Sequence, residues 1–215
     1  SLEAAAAVAG AALVDLDALC EKSLLEQQVE AQRYRLHNLL RQFAAEKGTA
    51  LGAHVEQAFV AYYYQVAHTC QADYAALQPE WRNFAAAIAK AHAQSRWQRV
   101  LDFVQVLDEP WFRQLRLREM AAGLTLALDA ATALADETAL ARTQLRLGEV
   151  AMELNAYPQA EAHLAGALDG FLRLEEGLGV AQVRYFWGRI HLERTEDEAA
   201  LAYFTEAKRI FEAEA

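Results

Sequence analysis

Residues 139–175 read ALARTQLRLGEVAMELNAYPQAEAHLAGALDGFLRLE, and residues 179–215 read GVAQVRYFWGRIHLERTEDEAALAYFTEAKRIFEAEA. A shift of 40 positions lays one on the other. Leu147-Gly148 then falls on Trp187-Gly188, Val150 on Ile190 and Glu153 on Glu193. Further on, Ala160 falls on Ala200, Leu164 on Phe204, Ala167 on Ala207 and Phe171 on Phe211. Self-similarity at a fixed period marks stacked structural repeats. Leu147, Val150 and Ala151 share one helical face, and Ala160, Leu164, Ala167 and Phe171 follow the spacing of another. Gly148, Ala160 and Ala167 are small where two antiparallel helices must approach, while Leu147 and Leu164 fill the gap between them.

Boundaries follow from local chemistry. Tyr157-Pro158 opens a helix, because proline is tolerated in a first turn. Thr195-Glu196-Asp197-Glu198 reads as a capping box doing the same in the next copy. Glu176-Gly177-Leu178-Gly179 is expected to break the chain between pairs. A third, weaker copy lies one period upstream, over residues 99–135. There Leu107 matches Leu147, Leu124 matches Leu164, and Ala127-Leu128 matches Ala167-Leu168. The last helix keeps Tyr203, Ile210 and Phe211 with nothing after them, and solenoids need polar caps. Further repeats, or self-association through that end, are expected.

These copies resemble the tetratricopeptide repeat at Gly148, Ala151, Tyr157, Ala160, Leu164 and Ala167, and at Gly188, Ala200, Phe204 and Ala207. That repeat has a period of about 34 residues, so longer helices or longer turns must absorb the difference. The resemblance implies helix pairs stacked into a right-handed superhelix whose inner face holds a protein or peptide. Plain antiparallel bundles also use periodic small residues, and that reading stays open.

Composition agrees with helices: strong helix formers dominate and long β-branched runs are nearly absent. The 215 residues suffice for one large domain or two small ones. A formal net charge of −10 repels phosphate backbones, which disfavours nucleic acid as a partner. Cys20 and Cys70 give neither a disulfide framework nor a zinc pattern and fit a reducing, cytoplasmic setting. The apolar run over residues 4–14 falls short of the roughly 20 residues a membrane span needs. The opening Ser-Leu-Glu has no basic signal-peptide region and reads as a cut from something longer.

The first fifty residues change character. Val14, Leu16 and Leu19 form a short amphipathic helix ending near Lys22. Residues 23–27 and 33–37 read as two strands around a polar wing, and Leu39, Leu40, Phe43 and Ala44 return to helical spacing before Gly48. Helix, hairpin, helix is the back half of a winged helix-turn-helix.

The stretches LDALCEKSLL and RYRLHNLLRQFAAEK resemble the winged-helix domain of STAND-type (NB-ARC-like) nucleotide switches. That class includes bacterial transcriptional regulators, apoptotic adaptors and plant immune receptors. Leu36-His37-Asn38-Leu39-Leu40 resembles its Met-His-Asp motif, with leucine for methionine and asparagine for aspartate. The resemblance implies that His37 contacts the β-phosphate of ADP in the intact protein, through a nucleotide-binding domain upstream in cis. It also covers PEWRNFAAAIAKA, over residues 79–91, as the segment joining that domain to its repeats. ADP or ATP is expected only in the full-length protein. Lys22-Ser23 lacks the glycines of a phosphate loop, and no strand-end acid is placed to hold magnesium. No cofactor and no catalysis are expected from this chain alone.

The organisation expected is mainly α. A winged-helix remnant spans residues 1–48 and a helical linker 49–107. An α-solenoid of tetratricopeptide-like pairs follows over 108–215. DNA binding by the winged helix, with the repeats as effector domain, is the competing reading. Asp15, Asp17 and Glu21 on its groove-facing helix oppose it, while Arg33, Arg35 and Arg41 make a small basic group. Arg113 and Arg116, with Arg118, flank Trp111 and could receive an acidic partner, or form a solvated flank. Tyr62, Tyr63 and Tyr64 diverge by about 100° per residue on a helix, so at least one should face outward or line a groove. The six histidines show no metal-ligand spacing.

Overall fold

The computed structural model describes residues 1–30, 32–36, 40, 42–43 and 52–214, and the chain divides into two compact units, Ser1–Lys90 and Ala91–Ala215. It is mainly α, with one small antiparallel sheet among the described residues.

In the first unit, α1 (Leu2–Ala9) is capped by Ser1 and ended by Gly10 in the left-handed conformation. Helix α2 (Leu13–Glu21) starts where Asp15 accepts a hydrogen bond from the Ala12 amide at 2.8 Å. Of the three apolar residues expected to form its face only Leu16 is buried, whereas Val14 and Leu19 face solvent. Strands β1 (Leu25–Gln28) and β2 (Arg33–Leu36) pair antiparallel, with Leu25 opposite Leu36 and Gln28 opposite Arg33. The hairpin therefore starts two residues later than expected and is four residues long on each side. The helix expected after Asn38 falls mostly outside the described residues. Helix α3 (Gly52–Cys70) packs on α1, and α4 (Tyr74–Leu77) leads through a 3-10 turn into α5 (Trp81–Ala93). Arg33 is not part of a free basic face: it pairs with Glu80 and donates to the Pro79 carbonyl at 3.2 Å.

The second unit is an array of helices whose openings recur with one spacing. Helices α6 (Trp97–Arg113), α7 (Leu117–Leu134), α8 (Glu137–Glu153), α9 (Tyr157–Arg173), α10 (Gly177–Glu193) and α11 (Asp197–Ala213) each begin 20 residues after the one before. Helices α6 and α7, α8 and α9, and α10 and α11 form three antiparallel pairs; α7 packs on α8, α9 on α10, and α8 also touches α10. The extra length over the tetratricopeptide pattern lies in the helices, because three residues suffice for each turn inside a pair. The first pair begins at Trp97, so the expected boundary at residue 108 falls inside α6.

Each turn is a left-handed cap without glycine. Ser95, Leu115, Ala135, Asn155, Glu175 and Thr195 have φ between 52° and 59°. The next amide reaches back five residues: Arg116 to Trp111 at 2.8 Å, Ala156 to Ala151 at 2.8 Å, Glu196 to His191 at 3.0 Å. This is the Schellman geometry that satisfies the last carbonyls of a helix. It corrects two expectations. Thr195 sits in the left-handed position and its hydroxyl bonds the Arg194 carbonyl, so no Thr-x-x-Glu box forms and α11 has no side-chain cap at its Glu196 N-cap. The break between the second and third pairs falls at Glu175, while Gly177 and Gly179 lie inside α10.

Within pairs, small residues admit large ones. A Cβ on Gly148 would lie 2.8 Å from the Leu164 side chain, and one on Gly188 2.7 Å from Phe204. The first pair reverses the arrangement: Gly123, on the second helix, faces the Trp111 ring at 2.6 Å by the same measure. That reversal makes the upstream copy look degenerate in sequence although its backbone is as regular as the others.

Two outcomes follow. Leu115 is 78% exposed and left-handed, a conformation costing an L-residue about 1–2 kcal/mol. Leu115→Gly is therefore expected to raise stability by roughly 0.5–1 kcal/mol, after allowing for glycine's greater freedom when unfolded, measured by urea denaturation. Gly148→Val is expected to lower it by about 1–3 kcal/mol through overpacking, with partial recovery when Leu164→Ala makes room.

Candidate functional site

A groove of about 430 Å³ opens between α6 and α8. Gln98, Leu101, Gln105 and Asp108 line one wall, with Leu101 its apolar contact, Arg142 and Arg146 line the other, and the buried Leu124 and Ala127 of α7 close the floor beneath. The 3.6-residue period of α6 brings Gln98, Leu101, Gln105 and Asp108 to one side. Asp136 ends the groove and caps α8, accepting from the Ala139 amide at 2.9 Å.

Arg146 organises the charge. It meets Asp108 through two contacts, Nε to Oδ1 at 3.0 Å and Nη2 to Oδ2 at 2.9 Å, and Glu149 through Nη1. Its guanidinium also lies 5.4 Å from the centroid of the Phe112 ring. Fork-to-carboxylate pairing fixes direction as well as contact. Burial raises the Glu149 carboxyl above its usual value, Arg146 opposes that, and the Asp108 charge adds to it. Arg142 is more exposed and reaches Glu176 at 3.3 Å. The groove thus offers hydrogen-bonding amides, an apolar side, and arginines balanced by nearby acids.

The residues expected to bind a partner are scattered. Trp111 is buried against Gly123 and is a core residue, which corrects its reading as a partner contact. Tyr63 is buried too, with the Phe59 ring 4.7 Å away and Phe84 edge-on at 6.2 Å; burial pushes its phenol up to about 12. Tyr62 and Tyr64 are half-buried, so none of the three tyrosines stands free in solvent. The Tyr62 phenol is raised by burial and hydrogen-bonds at Ser1. Arg113 is exposed, pairs with Glu109 at 3.1 Å, and borders a second hollow with Asp108, Phe112 and Arg146. Arg116 pairs with Glu119 at 2.7 Å. His37, with Asn38 and Leu39, lies outside the described residues. Among the described residues no group of three His, Cys, Asp or Glu side chains is placed to hold a metal, and no helix is long and apolar enough to cross a membrane.

The groove residues had a readable signal. Under the 40-residue shift Arg146 stands between Val106 and Phe186, and Arg142 between Asp102 and Gln182. At Arg146 a charge stands where the other copies are apolar, which marks a position whose surroundings have changed, whereas the polar counterparts of Arg142 give no such signal. No family model, curated protein or solved structure matches the chain.

A carboxyl whose native pKa is raised favours the folded state more as pH falls through that value, and less as pH rises. At neutral pH the buried Glu149 charge opposes folding, so Glu149→Gln is expected to melt no lower than the parent protein. Lowering the pH from neutral toward the ordinary glutamate value of 4.5 is expected to raise the parent's melting temperature relative to that variant.

Proposed function

We propose that this chain is the non-catalytic sensor arm of a STAND-type nucleotide switch, holding a protein or peptide signal in the groove between α6 and α8. The observation that carries the reading is that groove. It is an elongated, mixed polar and apolar channel along stacked helices, with Arg146 held by two acids rather than exposed. An extended segment finds there apolar contact, amide hydrogen bonds and arginines that distinguish one charge pattern from another. The acids of α2 add support against a DNA-reading role, since Asp15, Asp17 and Glu21 are all exposed.

The switch half rests on the sequence of the first unit: a helix, a hairpin, and His37 at the expected strand–helix junction. In the intact protein, signal binding to the repeats would favour the open state over an ADP-bound closed state held by His37, a shift of population between two arrangements. Nucleotide belongs to the upstream domain, in the cytoplasm of a bacterium.

Two measurements check the two halves separately. Random peptides displayed against this chain are expected to enrich binders that Gln105→Arg or Arg142→Glu abolishes; enrichment indifferent to both places the interaction elsewhere. In the intact protein His37→Ala is expected to weaken ADP binding about tenfold, the scale of one hydrogen bond to a charged group. Unchanged ADP affinity and unchanged activation would remove the switch reading.

A further inference from the structure

Thr143 of α8 lines the groove between α6 and α8 and is 8% exposed, the one buried polar residue among the described residues. Forty residues to either side stand Phe103 and Val183, both 0% exposed. The position is core in the other two copies, and only here does it carry a hydroxyl. That hydroxyl has no hydrogen-bond partner among the described residues. Other threonines of the array differ. Thr125 and Thr132 of α7 donate to the carbonyls of Ala121 and Leu128, each at 2.8 Å, and Thr205 of α11 donates to that of Leu201 at 2.7 Å. A helix ordinarily absorbs a threonine in this way. A hydroxyl buried over nine-tenths of its residue and not so bonded has lost water without gaining a partner, unless what enters the groove supplies one.

We propose that Thr143 is the hydrogen-bonding anchor of the groove and receives a neutral polar side chain of the bound peptide, tyrosine or glutamine. The inference rests on the groove as the peptide site and adds the chemistry of the residue seated deepest in it. Around Thr143 the floor is apolar: Val104 is 7% exposed, Leu124 2% and Ala127 0%. The incoming side chain therefore needs an apolar stem long enough to pass the rim, which serine and asparagine lack. Its tip must form a hydrogen bond, because a leucine or phenylalanine leaves the hydroxyl unpaired.

The tip must also be uncharged. Arg146 is shared by Asp108 and Glu149, Arg142 reaches Glu176, and Asp136 accepts from the Ala139 amide. A carboxylate or ammonium stripped of water on this floor meets no uncommitted opposite charge. Gln105, which stands on the rim where its counterpart Leu145 is buried, adds a second polar group for the main chain beside the anchor.

The test takes the peptides that a random dodecapeptide display library enriches against this chain. Each is expected to carry one tyrosine or glutamine whose replacement by phenylalanine or methionine weakens binding about fivefold, the scale of one neutral hydrogen bond. Thr143→Val in the chain is expected to weaken the same peptide about fivefold, and the two changes together to cost no more than either alone. Thr143→Ser, which keeps the hydroxyl, is expected to retain binding. Thr143→Val is also expected to melt no lower than the parent, since it removes a hydroxyl without a partner and Val183 fills the matched position. Binders indifferent to Thr143→Val, or effects that add, overturn the inference and leave the groove as a peptide site. A lower melting temperature for Thr143→Val overturns it too, by giving the hydroxyl a structural bond. A library that yields no binder removes the inference together with the sensor reading.

Discussion

The repeat array depends on one backbone event, a left-handed residue that ends a helix at residues 95, 115, 135, 155, 175 and 195. Each such residue lets the next amide reach the carbonyl five positions back, satisfying groups that would otherwise face a neighbouring helix unpaired. Because the turns recur every 20 residues, the helices come out nearly equal in length and side chains 40 apart return to equivalent places. Stacking needs that equality. A helix one turn longer would project beyond its neighbour and leave its apolar stripe uncovered.

The constraint does not act through glycine, and this is why the turns were hidden in the sequence. Leucine, alanine, asparagine, glutamate, serine and threonine take the position in turn. Only asparagine, serine and threonine are ordinary turn residues. The glycines that are visible in the sequence serve instead as recesses: Gly148 for Leu164, Gly188 for Phe204 and Gly123 for Trp111. Reading Gly177 and Gly179 as a break confused a packing role with a turn role. The two are separable only once the distance to Phe171 is known.

The period, the helix faces and the hairpin were legible because they rest on local alternation and on self-comparison. The candidate site was much less so. Trp111 and Tyr63 attracted attention as aromatics beside charge or beside other aromatics, and both are core residues whose burial is decided by a neighbouring helix. Arg146, which organises the groove, sits in an ordinary-looking helical stretch. Its meaning comes from Asp108, 38 residues earlier, and pairings at that range are set by the way the pairs stack, not by local pattern.

The groove and the closed contact beside it also show how one repeat plan supports two kinds of surface. Where Arg146 replaces an apolar counterpart, the neighbouring helices α6 and α8 leave a channel instead of closing on each other. A partly buried ion pair such as Arg146 with Asp108 and Glu149 adds little net stability, because removing charge from water offsets the attraction. Its contribution is directional: it holds one arginine in place along the channel wall. Where the counterparts stay apolar, as at Leu145 and Met152, the next helix closes completely and the contact is structural. Differences at matched positions, Arg146 for Phe186 and Gln105 for Leu145 among them, therefore accompany a channel between the first and second pairs and a closed core between the second and third, with the helix spacing unchanged.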